Sequence, residues 1–338
     1  MTIENTAANT IISGSANADY IYNDGSEATI IAGAGNDDVT NYFNATLSHV
    51  DLGDGNDTVW NYSGYNYLVG GDGSDTIVNV GRACYIDAGD GNDMIQSSGK
   101  ETTILGGDGS DFIIATLGSD AYIGGGAGND SIQNSGRSAT IAGGAGDELI
   151  VNTSQGDDVL IEGGAGDEGI VNYAYNVTIA GGVGEDIIYN YGALGVSVDA
   201  GDGNDTIVNW VYSSGSTIHG GGGDDVIQLA GGVEMISYTE GDGNDTVYGA
   251  TGKTLIDFDY DEAVMSDDGA DFIFKVGEGS VNFKNYFINE ASDPLEAILE
   301  PEPLEEIGEL DQEPAFVASK FNKVISAADK SRHRSPKK

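Results

Sequence analysis

The sequence predicts an all-β fold, a right-handed parallel β-helix or β-roll of about 13 coils with an 18–20 residue period. Two observations carry the prediction. The string Gly-x-Gly-x-acid recurs with its first glycine at Gly33, Gly53, Gly71, Gly89, Gly107, Gly126, Gly144, Gly164, Gly182, Gly201, Gly221 and Gly241, and a degenerate copy containing Asp19 begins at Gly14. Two apolar rows keep phase with it. Val or Ile stands two residues after every acidic position, from Ile21, Val39 and Val59 to Ile227 and Val247, and a second row stands three residues before each of the twelve glycines, from Ile30 and Val50 to Ile218 and Tyr238. β-Branched residues in short runs bounded by glycine turns read as strands.

Each unit is therefore two strands and two turns. One coil cannot bury its own Val and Ile, but stacked coils turn the two rows into continuous ladders around a narrow shared core. The 20-residue units are expected to hold their extra residues in the turn opposite the glycines, as at 63–66 after Tyr62 and 211–214 after Trp210. On this reading residues 1–255 are the repeat region and 256–290 a β cap, in which Phe272, Phe274, Val276, Val281 and Phe283 alternate with polar residues as in a hairpin. Residues 291–338 form a flexible tail that holds all five Pro and a single Gly. Within it Phe316, Val317, Phe321, Val324, Ile325 and Ala328 share one helical face, with Lys320 and Lys323 opposite, as an amphipathic export-signal helix would.

Charge narrows the functions. The chain has 56 acidic and 13 basic side chains, a net charge of -43, of which residues 1–290 carry -40. Nucleic acid and anionic membrane surfaces would be repelled. Cys84 is the single cysteine, so no internal disulfide forms. No apolar run is long enough to span a bilayer, and the opening MTIENTA lacks the basic start and apolar core of a signal peptide.

Glycines two apart let the turn fold its carbonyls toward a point, and the carboxylate that follows faces its counterpart one coil away. Carbonyls and carboxylates from stacked turns suit a hard cation such as calcium, which takes about six to eight oxygens. The repeats strongly resemble the repeats-in-toxin family, whose hemolysin-type calcium-binding nonapeptide is Gly-Gly-x-Gly-x-Asp-x-U-x. Gly70 to Val78 reads GGDGSDTIV, Gly106 to Ile114 GGDGSDFII and Gly125 to Gln133 GGAGNDSIQ. The resemblance implies calcium ligands at Asp37, Asp57, Asp75, Asp93, Asp111, Asp130, Asp186, Asp205, Asp225 and Asp245. Two copies depart, with Glu148 and Glu168 at the ligand position and Asp147 and Asp167 just before them. Unlike the family's usual roll, only one half of each coil carries the motif, which implies one row of about eleven calcium ions and cancels roughly half of the repeat region's charge.

Other positions compete for attention. Asn recurs four residues past the acid, at Asn23, Asn41, Asn61, Asn79, Asn134, Asn152, Asn172, Asn190 and Asn209, and reads as a structural amide ladder. Beside it Tyr42, Tyr62, Tyr173, Tyr191 and Trp210 form an aromatic strip, read either as a glycan-binding surface or as cover for the turn. Arg82, Lys100 and Arg137 sit seven residues past their acids; they moderate repulsion or attract an anionic polysaccharide. His49, His219 and His333 fall in unrelated phases and read as surface or turn residues, and Cys84 as a small core residue.

No His-Glu-x-x-His or Gly-x-Ser-x-Gly occurs, and six basic residues in 290 poorly serve polysaccharide lyase chemistry, so no enzyme is expected. Calcium-bound β-helices that bind ice use a flat Thr/Asn row beside the metal turn. Here the middle residue of Gly-x-Gly is Asp54, Asp72, Asp90, Asp108, Asp202, Asp242, an Ala, Val183 or Gly222, never Thr. The sequence thus reads as an extracellular protein, secreted without an N-terminal signal peptide, that folds on extracellular calcium and serves a structural or adhesive role at a bacterial surface or matrix. Proteins that resemble it leave by type I secretion on an uncleaved C-terminal segment, although the basic ending SRHRSPKK departs from that family's usual close. The alternative is a polysaccharide-acting or carbohydrate-binding module, to be discriminated by whether Arg82, Lys100 and the aromatic strip share a groove.

Overall fold

A computed structural model describes residues 1–116, 118–191, 194–210, 215–230, 234–251, 254–258, 264–267 and 271–284. The tail at 291–338, with its amphipathic segment and His333, lies outside the described residues, as does the 211–214 insertion.

The fold is an all-β parallel solenoid. Each regular coil contributes a four-residue strand, such as Thr58–Asn61, to one sheet and a six-residue strand, such as Tyr67–Asp72, to the other. The long strands build a 14-stranded sheet, and the short strands belong to a 17-stranded one. The sequence anticipated about 13 coils; the stack also includes Thr2–Asn5 and Ile11–Ser15, which precede the first glycine turn. Pairing is parallel and in phase with the repeat: Val39 faces Val59, Ile77 faces Ile95, and Ile86 faces Ile104. Like therefore stacks on like at the inter-strand spacing of about 4.8 Å.

Both apolar rows are inside. Ile21, Ile77, Ile86, Ile150, Ile188 and Ile218 are fully buried, and burial of one such side chain contributes about 1.5–3 kcal/mol. Because a coil has only two such inward residues per sheet pair, the core exists only through stacking. At the C-terminal end Leu255–Phe258 continues the long-strand sheet in parallel. Phe272–Val276 then pairs antiparallel with Val264–Asp267 and with Gly279–Phe283, and Gly279–Phe283 pairs in parallel with the last regular short strand, Asn244–Tyr248. Buried Phe274, Val276, Val281 and Phe283 cover the end of the core there.

One expectation needs correction. The two extra residues of the first 20-residue coil lie at 42–48, not at 63–66. Register pairs Thr29 with His49 and Asn41 with Asn61, so the long strand restarts eight positions after Asn41 but six after Asn61. The turn after Asn61 has the ordinary length, and its aromatic and polar content misled the count.

Candidate cation-binding turns

The glycine turn joins the long strand of each coil to the short one. Its two glycines adopt left-handed φ, for example 113° at Gly71 and 131° at Gly73. Space matters as much as φ: a Cβ on Gly73 would lie 1.8 Å from the Gly55 carbonyl oxygen of the coil before. Adjacent turns are thus packed backbone on backbone, and no side chain fits between them.

The acidic side chain that follows turns inward. Asp37, Asp57, Asp75, Asp93, Asp111, Asp130, Glu148, Glu168, Asp186, Asp205, Asp225 and Asp245 are all buried, each exposed by 3 % or less. Along most of the row one carboxylate oxygen accepts the backbone N–H of the equivalent residue in the preceding coil. Asp37 N–H donates to Asp57 Oδ1 at 2.6 Å, Asp57 N–H to Asp75 Oδ1 at 2.8 Å, and Asp75 N–H to Asp93 Oδ1 at 2.7 Å. At the start of the row the Met1 ammonium contacts Asp19 in the same manner and holds that carboxyl below its usual pKa. The sequence placed these twelve side chains at one turn of each coil, and the structure brings them into one continuous column.

The second oxygen is the informative one. Oδ2 of Asp37, Asp57, Asp75, Asp93, Asp111, Asp130, Asp186 and Asp225 is buried without a hydrogen-bond partner. A buried acceptor left unmatched costs about 1–3 kcal/mol, more when charged. Desolvation accordingly pushes the carboxyls up, Asp57 and Asp93 to about 6, Asp75 and Asp130 to about 7 and Asp245 to about 8. Main-chain oxygens point into the same space. The vacant Cβ position of Gly70 lies 2.3 Å from Asp75 Oδ2 and 2.2 Å from the Ala88 carbonyl oxygen; that of Gly106 lies 2.3 Å from Asp111 Oδ2 and 2.4 Å from the Gly125 carbonyl oxygen. Among the described residues no three acidic, His or Cys side chains converge tightly enough to hold a metal alone. The donor set is therefore carboxylate plus backbone carbonyl, all hard oxygen, and it fits a calcium-like ion.

A second relay runs outside the first, and sequence reasoning missed it. Along most of the row the residue before the acid accepts the N–H of its counterpart in the following coil: Asn56 N–H donates to Asn36 Oδ1, Ser110 N–H to Asn92 Oδ1 at 2.8 Å and Glu185 N–H to Asp167 Oδ1 at 2.8 Å. The signal was present, since this position holds a short polar residue or an acid in each of the twelve regular copies.

At the opposite turn the amide ladder is real. Asn172 donates to Asn190 Oδ1 at 3.0 Å and to the Ala174 carbonyl at 3.1 Å, and the Ala174 N–H donates back to Asn172 Oδ1 at 3.1 Å. Beside it Tyr173 and Tyr191 stack at 5.1 Å with rings 12° from parallel, and Trp210 lies 6.0 Å from Tyr191. The faces of Tyr173 and Tyr191 are directed at one another, while the Trp210 ring is tilted by 52° to Tyr191. Arg82 pairs with Glu101 at 3.2 Å and lies over Tyr65, while Arg137 pairs with Asp157 at 3.1 Å. Five strand steps, about 24 Å, separate the coil of Arg82 from that of Tyr173. Arg82 is thus remote from Tyr173, Tyr191 and Trp210, but only one coil from Tyr62.

His219, read as a bland residue, sits between Asp199 and Asp242, at 3.2 Å from Nδ1 and 2.9 Å from Nε2. Cys84 is buried as expected.

No protein-family model matches the chain, and no curated protein does. Among solved structures the chain is similar to a hyperactive, Ca2+-dependent, β-helical antifreeze protein from an Antarctic bacterium, with a TM-score of 0.53 and 20% identity over 71% of this chain and 83% of that one. At this identity the likeness shows the fold, a parallel β-solenoid.

Proposed function

We propose that the chain is a secreted calcium-binding repeat protein that folds on extracellular calcium and serves a structural or adhesive role at a bacterial surface or matrix, without enzymatic activity. The observation that carries the reading is the column of buried carboxylates, in which eight aspartates keep one oxygen without a donor. Asp37 to Asp245 would hold the ions together with carbonyls of the glycine turns. Bound calcium supplies positive charge to a column that otherwise carries like charges about 4.8 Å apart. The Ca2+ dependence of the similar antifreeze protein agrees with this.

The residues explain a folding switch. Without a counter-charge, burying the column means desolvating carboxylates or protonating them, and the chain of charge -43 resists compaction. With it, ligand binding to the folded state alone adds directly to stability. An extended chain in a low-calcium compartment and a locked stack outside follow from the same column. Ice recognition is not carried over from the similar protein, because the outward position of the glycine turn presents Asp54, Asp72, Asp90 and Asp108. The carbohydrate alternative is the weaker reading, since Tyr173 and Tyr191 stack face to face.

The test is far-UV circular dichroism of the full chain titrated with calcium from chelator, with magnesium as the control. Cooperative gain of β-signal with calcium alone supports the reading. A chain already fully folded in chelator at neutral pH overturns it.

A further inference from the structure

The carboxylate column is not uniform. Its N–H relay is intact from Asp19 to Asp130 and again from Glu168 to Asp245, where Glu168 N–H donates to Asp186 Oδ1 at 2.8 Å. It is interrupted at two consecutive steps, Asp130 to Glu148 and Glu148 to Glu168, because the extra methylene of glutamate carries the carboxyl past the amide that an aspartate would meet. Both oxygens of Glu148 and both of Glu168 are consequently buried without a hydrogen-bond donor, although the residues are only 2 % and 1 % exposed.

These side chains pack against glycines whose surroundings also hold main-chain oxygens. The missing Cβ of Gly143 would lie 3.0 Å from Glu148 Oε2 and 2.3 Å from the Gly163 carbonyl oxygen, and that of Gly163 would lie 2.9 Å from Glu168 Cγ and 2.2 Å from the Gly181 carbonyl oxygen. The outer relay changes at the same place. Where the other turns mostly present Asn or Ser, these present Asp147, Asp167 and Glu185, with Asp167 N–H bonded to Asp147 Oδ1 at 3.1 Å. Three consecutive turns thus hold six carboxylates, three inside and three outside.

We infer that the turns carrying Glu148 and Glu168 form a second kind of cation site, one that takes calcium at lower concentration than the aspartate turns and nucleates the solenoid. The inference rests on the calcium reading above. Each aspartate commits one oxygen to a backbone amide, whereas each glutamate keeps two for an ion, and calcium affinity rises with the number and charge of its oxygen ligands. A solenoid can begin folding at any coil and propagate from it, so the turn with the tightest ligand selects the nucleus.

The test uses the wild-type full chain. Hydrogen–deuterium exchange with mass spectrometry is followed as calcium is raised from chelator, and peptides covering 141–188 are expected to gain protection at a calcium level about tenfold below that needed for peptides covering 68–95, a difference of about 1.4 kcal/mol. Calorimetric titration adds a second readout: Glu148→Gln/Glu168→Gln should abolish the tight class of sites, and the matched pair Asp75→Asn/Asp93→Asn should retain it. Simultaneous protection of both regions, or later protection of 141–188, overturns the inference while leaving calcium-driven folding standing. Absence of any calcium effect on exchange or heat overturns both.

Discussion

The backbone N–H of Asp57 donates to Oδ1 of Asp75, 18 residues later, at 2.8 Å, while Oδ2 of the same carboxylate accepts nothing. One side chain thus does two jobs, tying two coils together through an amide and leaving a charged acceptor that only a proton or a cation can satisfy. The consequence is a substitution whose sign depends on calcium. Asp75→Asn keeps an oxygen for the Asp57 amide and places an NH2 group where Oδ2 meets the Ala88 carbonyl. In chelator it should stabilise the solenoid by about 1–3 kcal/mol, the cost of a buried unmatched acceptor. In saturating calcium it should destabilise it. Thermal melts of wild type and variant in both conditions check the reversal, and an Asp75→Asn protein that is weaker in both would contradict it.

Acid should do part of what calcium does. Asp75 and Asp130 are raised to about 7 and Asp245 to about 8 in the folded chain, chiefly by burial, against ordinary carboxyl values near 4 in the unfolded one. Between those limits the folded state binds more protons, so unfolding free energy falls as pH rises. The contribution is fully present below about pH 4 and is lost as pH climbs through about 6 to 8. In chelator, β-signal should therefore grow as pH is lowered from 8 toward 5, and with calcium bound the dependence should flatten over that range. A metal-free chain that gains stability with rising pH would show that these carboxyls are not buried as described.

Much of this was legible in the sequence, and the reason is the strictness of the period. Once Val39, Val59 and Ile77 are known to recur in phase with Asp37, Asp57 and Asp75, their inward direction follows from stacking alone. The residues that escaped are those whose role depends on register between coils. His219 meets Asp199 and Asp242, 20 and 23 positions away, through one strand step and one turn. The outer relay of Asn36, Asn56 and Asn92 becomes visible only when the two consecutive amides of each turn are both asked for an acceptor. At the opposite turn a left-handed residue recurs at Glu27, Leu47, Tyr65, Ala83, Glu101, Asp120, Ser138, Asp158 and Asn176. Its side chains are mixed, and the composition signal is limited to Asp120, Asp158, Asn176 and, at the equivalent place, Gly195 and Gly215 among the described residues.

The amide ladder should be indifferent to calcium. Asn172→Ala removes the bonds to Asn190 and Ala174 and strips the Asn152 amide of its acceptor on Asn172, which is itself fully buried. Four buried hydrogen bonds at about 1 kcal/mol each predict a loss of about 4 kcal/mol. Denaturant midpoints should fall by a similar amount at low and saturating calcium, provided both states are folded at pH 5. A loss seen only with calcium would tie the ladder to the metal turns instead.

The left-handed column offers the reverse case, a stabilising change at a site that touches no ligand. Ala83 adopts φ 51°, where its Cβ crowds the following carbonyl at a cost of about 1 kcal/mol, and its N–H is already spent on the Lys100 carbonyl at 2.7 Å. Ala83→Gly relieves that crowding but frees the unfolded chain, so the net gain should be about 0.5 kcal/mol. Gly73→Ala at the other turn shows the opposite extreme. Its Cβ would stand 1.8 Å from the Gly55 carbonyl oxygen, and backbone would have to move on both coils. Loss of several kcal/mol and local unravelling around 55–73, read by protease nicking there, are expected. Equal tolerance of both substitutions would mean that the glycine turns are not stacked backbone on backbone.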